Sequence, residues 1–225
     1  MKLIAIETST EICSIAYTNN GKCQNIVEEN IPRQHAEKLP LFYDELVKLS
    51  GLTLSEIDAI AVSIGPGSFT GLRIGLSYAK GLAYSHKKPI IPVPTMQSLL
   101  HGSGKTNQNV IVILLSHGNK YFNQQFDYNN SIFTSNKIKV NELESVNELG
   151  DIEINSVIIH YGCDKLLENS NIENQVIKIN PSAKWIGELA HQNFTKWVVE
   201  KPFKLVPDYV SPFIIGSLKS EVLNH

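Results

Sequence analysis

Two stretches of the 225-residue chain hold side chains whose types and spacing could do chemistry. In the first, Glu7-Thr8-Ser9-Thr10, a carboxylate and three hydroxyls follow directly on the apolar run Leu3 to Ile6. In the second, Gly65-Pro66-Gly67-Ser68 separates the apolar run Ala59 to Ile64 from a helical pattern over Phe69 to about Tyr84. Strand, glycine turn and helix in that order put the turn at the carboxyl end of a sheet, where α/β proteins keep their sites. Gly65 and Gly67 allow a sharp turn, Pro66 fixes its own φ between them, and Ser68 is placed to cap the helix. Free N–H groups and the helix dipole favour an anion at that point.

Other motifs carry less. Gly102-Ser103-Gly104-Lys105-Thr106 ends like a P-loop, but that pattern needs a glycine where Leu99 sits, a strand before it and a helix after it. It reads as a linker. Gly65-x-Gly with Gly71 is one residue too long for a dinucleotide fingerprint, and Pro66 occupies its turn. Ser9, Ser68 and Cys13 have no histidine or acid at a nucleophile's spacing. His35, His86, His101 and His117 are scattered without an H-x-x-x-H pair, and read as surface histidines.

The helix after the glycine turn places Gly71, Gly75, Ala79 and Ala83 four residues apart, so one face is almost bare backbone. Glycine inside a helix costs about 1 kcal/mol against alanine, so two of them need a reason. Close approach of a second helix is that reason, either from the same domain or from a partner. Arg73 and Lys80 interrupt the pattern, and no apolar run reaches the ~20 residues a membrane span requires.

Upstream, Leu3 to Ile6 and Cys13 to Tyr17 read as strands, with Asn19-Asn20-Gly21 turning into Lys22 to Val27. His35 to Leu49 is an amphipathic helix with Leu39, Phe42, Leu46 and Leu49 on one stripe. Pro40 starts it near Lys38 or bends it, and Gly51 ends it. Downstream come strands at Ile90 to Val93 and Val110 to Leu115, with a short helix beginning at Pro94-Thr95 between them. Tyr121 to Tyr128 then returns antiparallel, with Phe122, Phe126 and Tyr128 on one face. Strands at Val157 to His160 and Val176 to Ile179 follow, each with a helix after it. The second of these helices starts at Pro181-Ser182 and carries Trp185, Leu189 and Phe194. Lys204 to Ser220 reads as loop and a final helix.

A net charge of −2 gives no global basic footprint, which argues against autonomous nucleic-acid binding. Cys13, Cys23 and Cys163, an odd set without a C-x-x-C pair, fit free thiols in a reducing compartment. The apolar run after Met1-Lys2 ends too soon, at Glu7, for a signal peptide, so a cytoplasmic protein is expected.

Strand, hydroxyl-rich turn and second hairpin strand are how actin-like and sugar-kinase folds begin, and there the turn holds nucleotide phosphate. Together, Ala5-Ile6-Glu7-Thr8-Ser9-Thr10, His35-Ala36-Glu37, Ile57 to Val62 and Gly65 to Gly75 closely resemble the TsaB (YeaZ) family. The match covers most of residues 1–100. Members are dimerisation partners of TsaD, which makes threonylcarbamoyladenosine next to the anticodon of tRNA. The resemblance implies an α/β, actin-like ASKHA (ribonuclease H-like) fold of two lobes, with mixed sheets flanked by helices. Residues 1–102 would form the N-terminal lobe and 103–225 a smaller, divergent one.

The resemblance further implies pairing, with TsaD or as a homodimer, through the first two helices. On this chain the interface residues would be Leu39, Phe42, Leu46, Gly71, Arg73, Gly75, Ala79 and Ala83. TsaD keeps metal-binding histidines in a segment equivalent to Val93 to Leu99, and here those positions fall on Thr95 and Leu99, neither a ligand for iron or zinc. Thr8, Ser9, Thr10, Gly65, Gly67 and Ser68 would then be vestigial phosphate loops. The expected protein is a non-catalytic subunit without cofactor, working with TsaD and the ATPase TsaE. ATP and metal would sit on those partners, tRNA would be met mainly through the complex, and no membrane is involved. The alternative is an ASKHA-type ATPase or small-molecule kinase; a peptidase lacks the residues it needs. Two departures stand out: Leu115, His117 and Lys120 occupy hairpin positions where the family has acidic and arginine residues, and Glu7 replaces the usual aspartate. The charge balance argues against a major tRNA contact, leaving only a local basic spot at Lys87-Lys88.

Overall fold

A computed structural model describes residues 1–105, 107–129, 132–150, 152–153 and 155–210. The strand β1 (Lys2–Glu7) is buried on both faces, which is why it reads as a continuous apolar run. It pairs antiparallel with β2 (Ile12–Asn19), which turns at Asn20-Gly21 into β3 (Lys22–Asn30). On its other side β1 runs parallel to β4 (Ala59–Gly65), and β4 runs parallel to β5 (Ile90–Pro94). The sheet order is β3-β2-β1-β4-β5.

Alternation then assigns the faces. Ile4, Ile6, Ile60 and Val62 point to α1 (His35–Ser50) and α2 (Phe69–Ser85), forming a core with Leu39, Phe42, Leu46 and Leu76. Burying each such side chain is worth roughly 1.5–3 kcal/mol. The helix α1 starts at His35 rather than near Lys38, with Pro40 inside it, and Gly51 closes it in the left-handed conformation at φ 66°. His35 is not a surface residue: it is buried, its Nε2 3.2 Å from the Ile12 carbonyl oxygen.

The helix α3 (Thr95–Gly102) leads to the second sheet. There β6 (Val110–His117), β7 (Lys120–Asn129), β8 (Ile132–Ser135), β9 (Lys139–Glu142), β10 (Val157–Tyr161) and β11 (Gln175–Lys178) give the order β11-β10-β6-β7-β8, with β9 also on β7. The parallel and antiparallel pairings repeat those of the first sheet, β6 standing where β1 stands. Mixed sheets flanked by helices are the architecture expected from the sequence. The pairs β8 and β9, too short and polar to show a pattern, were not expected. A short helix, α4 (Asp164–Glu168), follows β10.

The chain then returns to the first sheet. The helix α5 (Ala183–Gln192) packs through Ala183, Ile186, Leu189 and Ala190 on Leu3, Ala5, Ala16 and Ala61. Residues 183–192, although they follow the second sheet in the chain, thus pack on the first. The expected single helix through Phe194 breaks at Asn193, after which α6 (Phe194–Trp197) begins. Val199 exchanges two backbone hydrogen bonds with Ile90 at the edge of β5 (3.1 and 2.8 Å). A 3-10 turn, Pro202–Lys204, and an extended stretch follow; the rest of the expected final helix, beyond residue 210, lies outside the described residues.

Candidate functional site

The two chemistry-bearing turns meet at the carboxyl ends of β1 and β4. The Ser68 N–H donates to the Ser9 carbonyl (2.7 Å), and the Ser68 Oγ accepts from the Gly71 N–H (3.2 Å), capping α2 as expected. A Cβ on Gly67 would lie 2.3 Å from the Ser9 carbonyl oxygen, and one on Gly65, at φ 118°, 2.7 Å from that of Asp208. Both glycines are required by backbone approaching backbone.

The bare face of α2, which the sequence reading expected to be an interface, has the same explanation within the chain. A Cβ on Gly71 would lie 2.1 Å from the Thr8 carbonyl oxygen, and one on Gly75 2.1 Å from the Thr8 Oγ1. Ala79 and Ala83 are buried in the core together with Leu39, Phe42 and Leu46. Gly71 and Gly75 lie directly against the β1 turn, and the other five are buried in the core between α1, α2 and the first sheet. Of the expected set Arg73 alone is on the surface, its Nε donating to the Tyr209 hydroxyl (2.8 Å) and its guanidinium 3.8 Å from the Phe69 ring centre. Outward, α2 presents Ser77 and Gly81, the latter with nothing within 4 Å of a Cβ, and α1 presents Leu41 and Leu49, more than half exposed.

Between the two sheets opens a cleft of about 1010 Å³. Of the suspected phosphate loops, Ser9, Thr10 and Ser68 line it; Thr8, Gly65 and Gly67 are not among its lining. The second sheet adds Ser116 from the β6 end, and Tyr161, Gly162 and Asp164 from the β10 end. The Gly162-Cys163-Asp164 turn repeats the strand–turn–helix signal of Gly65, so this half of the cleft was readable in the sequence and missed.

Glu7 sits beneath the cleft, fully buried. Its Oε1 accepts from the Ser9 N–H (2.5 Å) and the Ser63 hydroxyl (3.1 Å), while Oε2 has no partner. Burial pushes its pKa up, outweighing those hydrogen bonds. Burial also pushes the Cys13 and Cys163 thiols to about 12, so neither is a nucleophile.

The charges on the cleft wall are poorly matched to nucleotide phosphates. Glu11, Glu28, Glu29 and Asp164 line it against Arg33 and Lys178. The Lys178 Nζ is bound to both Asp164 oxygens at 2.8 and 2.9 Å, which holds that carboxyl below its usual range. A triphosphate would meet more negative than positive charge there. On α3, Thr95 is buried and Leu99 lies in an apolar cluster with Met96, Val110 and Val112. The P-loop-like stretch joins α3 to β6 with Lys105 held by Gln175 (2.9 Å); Thr106 lies outside the described residues. Among the described residues no three His, Cys, Asp or Glu side chains group as metal ligands, and no helix is long and apolar enough to cross a membrane.

Comparison with known proteins follows the same lines. A family profile described as TsaD, tRNA N6-adenosine threonylcarbamoyltransferase, matches residues 12–175, well over half of the chain. The tRNA threonylcarbamoyladenosine biosynthesis protein TsaB of Escherichia coli (strain K12) is 39% identical over 107 residues, 48% of this chain and 46% of that protein. The match thus spans about half the length of that relative. TsaB of Buchnera aphidicola subsp. Schizaphis graminum is 26% identical over 190 residues, 81% of this chain and 89% of that one. Among solved structures, YeaZ from Pseudomonas aeruginosa superposes with a TM-score of 0.76 at 24% identity, over 93% of this chain and 99% of that one.

Proposed function

Because the chain belongs to the TsaD family, and within it is a TsaB/YeaZ member, we propose that it is a non-catalytic partner subunit in tRNA threonylcarbamoyladenosine biosynthesis. In this reading it packs on TsaD and holds it in an active arrangement while TsaD transfers the threonylcarbamoyl group to adenosine. TsaE joins the pair, ATP and metal stay on those subunits, and the chain pairs with itself when alone. The observation that carries the reading is the packing of α3, where Leu99 is core and Thr95 is enclosed at the positions that would hold metal in TsaD. Function resides in grafted side chains, so the fold can persist without the site. The partner surface is the outward side of α1 and α2, with Leu41, Leu49, Ser77 and Gly81, rather than the enclosed glycine stripe. Co-elution with the cognate TsaD in gel filtration tests it; independent elution of both proteins at micromolar concentration would contradict it.

A second reading, an ATPase or small-molecule kinase, draws on the cleft: the Ser9 hydroxyl borders it, buried and without a partner. The acidic wall weighs against it. Calorimetry of the isolated chain with ATP and magnesium is expected to show no tight binding, and a saturable heat would revive this reading.

A further inference from the structure

The far end of α2 carries a surface that adjoins the proposed partner face, with Tyr84 one turn beyond Gly81. Tyr84, on the last turn, and Phe203, on the 3-10 turn that follows the β5-edge bridge, are 75% and 70% exposed. Their ring centres are 6.4 Å apart at 72°, and they border a pocket of about 490 Å³. The pocket is built rather than accidental. The Lys80 Nζ donates to the Phe203 and Leu205 carbonyls (3.1 and 2.7 Å), strapping the turn onto the helix. The Lys88 Nζ donates to the Ser55 carbonyl (2.9 Å), and the Val199–Ile90 bridge closes the far side. Neither lysine's charge is neutralised by these carbonyls.

Lys87 stands exposed between them, and Lys201 and Lys204 flank Pro202-Phe203 in the chain, both exposed. None of these three is in an ion pair among the described residues. Three lysines, Lys80, Lys87 and Lys88, thus line the pocket against one acid, Glu200, with Lys201 and Lys204 beside its rim in the chain, in a protein whose net charge is −2. Such a concentration of one sign attracts a polyanion, and the overall balance hides it. Exposed aromatic rings set among lysines are what an unpaired nucleotide requires, a face on which to stack and cations along its phosphates.

We infer that this pocket is an RNA contact: it stacks an unpaired base on Tyr84 and Phe203 and holds the flanking phosphates with Lys87, Lys201 and Lys204. The inference extends the tRNA reading above by giving this subunit its own hold on RNA. It is tested on the isolated chain, so its failure would leave the partner role standing.

The test is fluorescence anisotropy of the full chain with a labelled oligouridylate and with labelled unmodified tRNA, over a range of salt. Wild-type protein binds both at low salt. Lys87→Glu/Lys201→Glu/Lys204→Glu weakens binding and lowers the log–log salt slope by about two, the expectation for three phosphate contacts to a single strand. Tyr84→Ala/Phe203→Ala weakens binding by roughly five- to a hundred-fold and leaves the slope unchanged. The charge-matched control Lys137→Glu/Lys139→Glu/Lys165→Glu, on the second sheet's side, binds like wild type. Four results would overturn the assignment: no binding at low salt, equal loss in the control, an aromatic variant that binds normally, or patch variants that keep RNA but lose TsaD. The last would give the surface to a protein.

Discussion

At Gly71 a methyl group would press on the Thr8 carbonyl oxygen at 2.1 Å, while at Gly81, three turns on, it would meet nothing within 4 Å. The same substitution should therefore have opposite signs at the two sites. Overpacking costs about 1–3 kcal/mol, and helix propensity returns only about 1 kcal/mol. Thermal unfolding is expected to show Gly71→Ala clearly destabilised and Gly81→Ala unchanged or more stable; equal melting temperatures would mean that α2 does not lie against the β1 turn. Glu7 offers a second reading at this scale. Its pKa is raised above the ordinary 4.5, so above that pH the unfolded chain has released a proton that the native one still holds. Stability from this group is complete below pH 4.5 and is lost as pH rises through the raised value. In Glu7→Gln that part of the alkaline decline should vanish from denaturation curves taken across pH. Parallel curves for the two proteins would show that Glu7 titrates as an ordinary surface acid.

Among elements, α2 has two faces with different duties, and only one could be read in advance. The four-residue spacing of Gly71, Gly75, Ala79 and Ala83 announced a close approach, and there is one; the neighbour is the β1 turn and the α1 core of the same chain. Periodicity reports that a face is crowded and is silent on what crowds it. A charged residue at Gly75, 2.1 Å from the Thr8 Oγ1, would break the monomer itself and so says nothing of pairing. Gly81→Glu is the discriminating change, since that position is open: the variant should stay folded yet elute apart from TsaD. Continued co-elution would move the contact off this face. Elsewhere the long apolar stretches were legible, β1, β4 and β5 to within a residue at each end, because they are buried, whereas the half-exposed β3 runs three residues past its expected end. Lost were the features that depend on distant partners. The pairs β8 and β9 exist through their pairing with β7, and Glu28, Glu29, Asp164 and Lys178 become one wall only when two sheets face each other.

For the whole molecule, two sheets of one topology enclose a cleft, α5 returns to the first sheet, and Val210 packs against the cluster under the second. Here the wall is acidic and Leu99 on α3 is core, and the function proposed above is placed on the outside, in the α1–α2 face and in the lysine-rich end of α2. Reconstitution tests that claim most directly. Unmodified tRNA, threonylcarbamoyl-adenylate, TsaD and TsaE are combined with this chain, without it, or with Gly81→Glu, and the modified nucleoside is measured by mass spectrometry. The expected result is product with the wild-type chain and little without it or with the variant. Product from this chain in the absence of TsaD, or equal product from TsaD whether or not the chain is added, would contradict the account.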